Sequence, residues 1–312
     1  SQRLQDINYR LSLAAGHHFD HDKGSIVFGA EYNQQFGMKD SDTPWTGANS
    51  YYFSRATSGP YSYVLSQGSR EPTYTATGIP TIKDGYANKY GVNYDGIRSP
   101  TGTSMIFGND GKSLIPETYN HATNSSTNVA GGNGFATANY DNLIVDQQRL
   151  ALTSLAHYDI TDHLHASWEG WYGHTLSTNT AHTPYYSAYA HGKAGAKNGS
   201  LIMSTDNPYL TSEERTTIIN ALAQAKQSTD TFYLNRANTD LYSGAYTTDE
   251  QLFRTVAGLN GDFDFLHRNF QWEVSGTYGR SLASTTQNQI VTQNLFNAVN
   301  SVRGSNGAIT CA

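Results

Sequence analysis

The sequence predicts an all-β protein: an antiparallel meander of long hairpins, part of a transmembrane β-barrel, with long extracellular loops that contain short helices. Three observations predict it. Apolar and polar residues alternate with a period of two along strands longer than a soluble protein usually needs. The strands come as three hairpins of one design. Short turns alternate with very long connections.

The central hairpin, from Leu143 to His174, shows the pattern best. Leu150, Leu152, Ala156 and Tyr158 fall on one face of its first strand, and Arg149, Thr153 and His157 on the other. A turn is expected at Asp159-Ile160-Thr161-Asp162. The returning strand places Leu164, Ala166, Trp168 and Tyr172 against His163, His165, Ser167 and Glu169. Soluble strands average roughly 5 to 6 residues, whereas a tilted strand crossing a bilayer needs about 9 to 11. These two reach that length.

The first hairpin opens with Tyr9, Leu11, Leu13 and Ala15 alternating with Arg10, Ser12 and Ala14. A polar run from Gly16 to Gly24 follows. The chain returns with Ile26, Phe28, Ala30 and Tyr32 opposed to Val27, Gly29 and Glu31. In the third hairpin Phe253, Ala257, Leu259, Phe263 and Phe265 alternate with Arg254, Asn260, Asp262 and Asp264 before a turn at Leu266-His267-Arg268-Asn269. Phe270, Trp272, Val274 and Tyr278 then oppose Gln271, Glu273, Ser275 and Thr277. The hairpins cover about 7-36, 143-175 and 247-286 of a single partial barrel domain, 1-312. They are expected to lie side by side in one sheet, with Leu152, Trp168 and Trp272 on the same outer face.

The connections, about 37-142, 176-246 and 287-312, are rich in Gly, Ser, Thr, Asn and Tyr and show no sustained period. Compact soluble domains seldom hold unstructured loops longer than about 12 to 15 residues. Alternation of short turns with long loops is the habit of outer-membrane barrels, whose long loops face outward. Within the loops, Thr211-Ser212-Glu213-Glu214 forms a capping box ahead of Ile218, Ile219, Leu222 and Ala225 at helical spacing. Ile290, Leu295, Ala298 and Val302 suggest a second helix. Both are read as loop helices that pack an apolar stripe on their neighbours. Met105 to Lys112 reads as a small hairpin turning at Asp110-Gly111.

Composition agrees. The 312 residues carry a formal net charge of -6, with only 15% charged and 12% aromatic residues, against about a quarter charged in an average soluble domain. Tyr, Asn, Ser and Thr do the solvating. No cluster of Lys and Arg exists that would neutralise phosphates, which excludes a nucleic-acid partner. No apolar run approaches the roughly 20 residues of a membrane helix, as expected when only alternate residues face lipid. The first residue is Ser1 and no signal peptide precedes it, so a processed chain or a piece of a longer one is expected. Cys311 is the only cysteine. No internal disulfide can form, and any partner is expected beyond Ala312.

Catalytic motifs are missing: there is no Gly-x-Ser-x-Gly elbow, His-Glu-x-x-His, phosphate loop or dinucleotide fingerprint. The protein is read as a non-enzyme with no cofactor. His17-His18-Phe19-Asp20-His21-Asp22 offers metal-ligand types, and His163 with His165 share a strand face, but a solvated turn and a polar lumen wall account for them, so no metal is assigned. The aromatic clusters are the candidate ligand contacts: Trp45, Tyr51, Tyr52 and Phe53 in the first loop, and Tyr185, Tyr186 and Tyr189 in the second. A ring face stacks on sugars or planar chelates and a phenol adds a hydrogen bond. Packing within the loops or an aromatic girdle at the membrane surface is the competing role.

Several segments carry a resemblance: Leu150 to Tyr172, Asn207-Pro208-Tyr209-Leu210 before a helix, Arg254-Thr255-Val256-Ala257-Gly258-Leu259-Asn260-Gly261 leading to Trp272-Glu273-Val274-Ser275 and Gly279-Arg280, and the closing Asn294 to Val302. In order and spacing they resemble TonB-dependent outer-membrane receptors, nearest to the large receptors of Caulobacter, Sphingomonas and Xanthomonas-type bacteria. The resemblance implies a 22-stranded barrel in the outer membrane of a Gram-negative bacterium, filled by a plug that the TonB complex pulls through a TonB box. Neither plug nor TonB box is present, and three hairpins supply about six strands, so the chain is expected to be an early slice of the barrel. Its partners would be outer-membrane lipid, the TonB complex through the missing plug, and a scarce nutrient, either a ferric siderophore or an oligosaccharide. Two other classes fit the residues: a secreted β-rich adhesin that binds glycans, and an exported β-fold hydrolase.

Overall fold

The computed structural model describes residues 8–44, 46, 51–55, 60, 63–82, 96–119, 121–122, 129–180, 185–187 and 201–311. The chain divides into two compact units, 1–38 with 142–179 and 245–287, and 39–141 with 180–244 and 288–312. The first gathers the three hairpins and the second gathers the connections.

The hairpin unit is one antiparallel sheet of six strands: β1 (Tyr9–Phe19), β2 (Gly24–Gln35), β3 (Asp146–Thr161), β4 (Leu164–Thr180), β5 (Ala245–Phe265) and β6 (Arg268–Gln287). Their order in the sheet is their order in the chain. The three hairpins therefore lie adjacent, as the alternation predicted. The sheet does not close on itself, and among the described residues β1 and β6 are its free edges.

Register decides which residues meet. Leu13 pairs with Ala30, which pairs with Leu152, which pairs with Tyr172. Leu259 pairs with Val274 and Phe263 with Phe270. Because side chains alternate across a strand, these pairings place Leu11, Leu13, Phe28, Leu152, Trp168, Phe253, Leu259, Trp272 and Val274 on one face. Arg10, Glu31, Thr153, His157, His165, Asn260 and Glu273 share the opposite face. Leu152, Trp168 and Trp272 do stand together. Among the described residues of the unit nothing covers the apolar face, with Leu11 66% and Val274 59% exposed. Eleven residues in β1 extend about 36 Å at about 3.3 Å each, or about 28 Å in height at a tilt near 40°.

The turns are tighter than the sequence suggested. β1 runs through His17 and His18 to Phe19, leaving Asp20, His21 and Asp22 in the left-handed region at φ 52, 54 and 69°. A side chain on Gly24 would lie 2.3 Å from the Phe19 ring, which itself stacks on Tyr158 at 6.0 Å. Asp159 was expected in the second turn but belongs to β3, because its amide donates to the Lys23 carbonyl at 2.7 Å. A bulge at Ile160 follows, and the turn itself is Asp162-His163. The third turn shortens to Leu266-His267, with Phe265 paired directly to Arg268. Both turn residues have positive φ, 51 and 60°, the geometry of a type I′ turn.

Among the described residues the second unit has no long strand. The longest, Thr231–Ala237, pairs with Leu201–Ser204, Ile79–Thr81 and Tyr185–Tyr186. Among the described residues its core has three clusters. Ile97, Ile218, Leu222 and Phe232 form one; Leu201, Leu234 and Leu295 form another; Tyr74, Phe135 and Ala237 form the third. Helix α1 (Ser212–Gln224) starts at the expected capping box, with the Glu214 amide donating to Thr211 Oγ1 at 3.3 Å and the Thr211 amide to Glu214 Oε2 at 2.8 Å. Its Ile218 and Leu222 are fully buried. Helix α2 (Thr292–Val299) buries Leu295. It stops short of Val302, which stands instead in the two-residue strand Val302–Arg303; the Ser301 hydroxyl closes the helix end on the Ala298 carbonyl at 2.6 Å. The small hairpin turns as expected, with Gly111 at φ 61° and Asp110 accepting from the Lys112 amide at 3.0 Å. Cys311 is exposed and unpaired. Among the described residues no helix is long and apolar enough to cross a membrane.

Three outcomes follow from these elements. Replacing Leu266-His267 by Asn-Gly relieves two left-handed side chains and should raise resistance to urea by about 1 kcal/mol or more. Thr211→Ala should cost about 1 kcal/mol and Leu222→Ala about 2 to 5 kcal/mol, read from proteolytic susceptibility of the second unit.

Candidate functional site

Two regions concentrate chemistry, one in each unit. In the second unit, aromatic rings from three distant segments pack in sequence, two pairs stacked and the middle pair tilted at 43°. Tyr185 lies on Tyr74 at 4.3 Å and 9°, Tyr74 on Phe135 at 5.4 Å, and Phe135 on Tyr140 at 5.2 Å and 16°. Phe135 is held by reciprocal backbone hydrogen bonds with Glu71, 2.8 and 2.9 Å. The Glu71 carboxylate accepts from the Thr73 amide at 3.2 Å and hydroxyl at 2.7 Å. Burial raises the Glu71 carboxyl, and the Thr73 hydrogen bonds oppose that rise. Burial also raises the Tyr74 and Tyr185 phenols, with the Glu71 charge adding to it.

Beside Phe135 and Tyr140 opens a cleft of about 310 Å³ that Phe107, Asn109, Asn133 and Asn139 also line. Asn133 is committed to structure, accepting from the Thr118 amide at 2.8 Å and donating to the Pro116 carbonyl at 3.0 Å. Asn109 and Asn139 are exposed. Rings beside amides suit a neutral, hydroxyl-rich ligand or the rim of a chelate.

The candidate aromatics distribute unevenly. Trp45 and Tyr189 lie outside the described residues. Tyr51 and Tyr52 fall in a strand, Tyr51–Arg55, paired with Tyr63–Gln67, and their side chains are outside the described set. Tyr185 and Tyr186 are half-buried. Tyr185 ends the ring stack, and Tyr186 meets Phe296 edge-on at 6.1 Å while its hydroxyl lies 3.2 Å from Thr292 Oγ1. Both therefore knit the unit together. Sequence reasoning missed Tyr74, Phe135 and Tyr140 as partners, since single aromatics without period carry no signal of their own.

The second region lies on the polar face of the sheet near the short turns. Asp159 pairs directly with His165 across the hairpin, and His157 stands two residues before it. His157 Nε2 reaches Asp159 Oδ1 at 2.7 Å and His165 Nδ1 reaches the same oxygen at 2.5 Å. Next to it His163 contacts Asp262 at 3.1 Å, and Asn269 donates to Asp262 at 2.9 Å and to Asp264 at 3.2 Å. Arg10 pairs with Glu31 further along the same face. His163 and His165, placed side by side by the sequence, take different partners. The run from His17 to Asp22 does not assemble a ligand set: His18 is 4.0 Å from Asp22 and His21 is 3.8 Å from Asp20, all exposed.

No protein-family model, curated protein or solved structure matches this chain.

The raised Glu71 carboxyl gives a pH dependence with a definite sign. A carboxyl that holds its proton more tightly when folded stabilises fully below its unfolded value. That contribution is lost as pH rises through the folded value. The second unit should therefore lose stability as pH climbs from the ordinary glutamate value of 4.5. Glu71→Gln keeps an oxygen for Thr73 and should flatten that slope in thermal melts.

Proposed function

We propose that the chain is a wall segment, with its outer loops, of a TonB-dependent outer-membrane receptor that takes up a scarce nutrient. The observation that carries this reading is the uncovered apolar face of the six-stranded sheet. Register places most large apolar side chains on one face and most charged ones on the other, with Val27, Leu155 and Trp171 on the polar face and Arg280 on the apolar one, over a height close to the roughly 25 Å apolar band of outer-membrane barrels. In water such a face would be an aggregation liability; against acyl chains it is at equilibrium.

On this reading β1 and β6 pair with further strands of a longer barrel, because unpaired ladder groups have no partner in hydrocarbon. The polar face lines the lumen, and the connections form the outer docking surface. The cleft beside Phe135 and Tyr140, with its amides, receives an oligosaccharide or the periphery of a ferric siderophore. Release inward would follow from TonB acting on a plug domain elsewhere in the protein. The chain contributes binding and wall, not bond chemistry.

Three measurements test it. Phe28→Arg on the apolar face should cost about 2 to 4 kcal/mol of insertion into lipid, whereas Thr153→Arg on the opposite face should be tolerated. Growth of a deletion strain on defined iron and carbon sources should fail on one of them and so name the cargo. A full-length protein that fractionates as a soluble monomer without detergent would overturn the proposal.

A further inference from the structure

We propose that His157, Asp159 and His165 form a binding site for a borderline divalent cation of the zinc type. The inference does not depend on the receptor reading.

The three side chains present His157 Nε2, Asp159 Oδ1 and His165 Nδ1 within 4.8 Å of one another. Two imidazoles and a carboxylate are a donor set that zinc accepts readily, as do neighbouring first-row ions. An ionised carboxylate offers about four acceptor positions on two oxygens; here both rings converge on one oxygen, at 2.7 and 2.5 Å. The rings lie 20° from parallel with centroids 5.8 Å apart, so their donor atoms approach the oxygen together. A cation replacing the two shared protons would meet the same three atoms.

The fit needs little movement. Bonds of about 2.0 to 2.2 Å in a tetrahedron separate ligand atoms by about 3.3 Å. Moving the Asp159 carboxylate by under about 1 Å opens its two oxygen–nitrogen spacings, 2.7 and 2.5 Å, to that value, and the two ring nitrogens already stand within 4.8 Å of each other. The backbone beneath is already fixed. Asp159 and His165 are direct cross-strand partners, the Asp159 amide is held by the Lys23 carbonyl at 2.7 Å, and the Ile160 bulge follows. The side chains of His157, Asp159 and His165 are 49%, 39% and 28% exposed. Water can therefore reach the site and complete the coordination, which marks a three-ligand site of the open kind. The adjacent His163 is engaged with Asp262 and is not part of the set.

Cobalt is a spectroscopic stand-in for zinc. Titrating Co²⁺ into the full-length protein, purified in detergent, should give a saturable visible absorption at one equivalent that Zn²⁺ displaces. The double variant His157→Ala/His165→Ala should weaken binding by more than the roughly 10- to 100-fold that loss of an outer partner costs. His163→Ala should leave it unchanged. Binding that persists at parental strength in the double variant, or no saturable binding to the folded parent, overturns the site. If the double variant fails to fold, X-ray absorption of the Zn²⁺-loaded parent decides. Two imidazoles with a carboxylate support the proposal, and a shell of oxygens alone refutes it.

Discussion

Cross-strand register is the constraint on which the hairpin unit rests. A strand's side chains alternate, so a slip of one residue in any ladder would carry its apolar set to the other face. Four ladders must agree for Leu13, Ala30, Leu152 and Tyr172 to line up, and for Leu259 to meet Val274. The pins that hold this agreement are at the short turns. Asp20, His21 and Asp22 in the left-handed region, the Ile160 bulge and the Leu266-His267 turn each allow only one pairing of the strands they join. Local backbone geometry thus decides which face of the sheet is oily, and the face decides what medium the sheet tolerates.

The second unit obeys a different rule. Its strands are short, its ladders break after a few pairs, and its stability lies in buried contacts between remote segments. Ile97 packs with Ile218 and Phe232; Leu201 packs with Leu295. Glu71 is a polar member of that interior, tied to Phe135 through the backbone and to Thr73 through the side chain. Residues that pack a loop interior and residues that touch a ligand are drawn from the same aromatic stock, and Tyr185 and Tyr186 belong visibly to the first group.

What could be read from residues alone follows from this contrast. The hairpins were legible to within a few residues because a period of two is written into each strand. So was the capping box at Thr211, a local pattern with a local cause. The second turn was misplaced because Asp159 is drawn into the strand by Lys23, a partner far away in sequence. The same error hid the side-chain cluster: His165 was recognised as strand-facing, while Asp159, taken for a turn residue, was not seen as its partner. The ring stack of Tyr185, Tyr74, Phe135 and Tyr140 was illegible, since nothing periodic links four aromatics in three segments.

The ladders also bear on how the connections assemble. Tyr140 and Tyr185 flank the β3–β4 hairpin, and the pair Asp146 with Thr178 closes that excursion almost at its base. Tyr246 with Gln287 does the same between Leu234 and Leu295. Once zipped, each hairpin shortens the chain separating the segments that must meet beyond it, which lowers the entropy of loop closure. Contacts that look distant in sequence become near ones once the hairpins are paired.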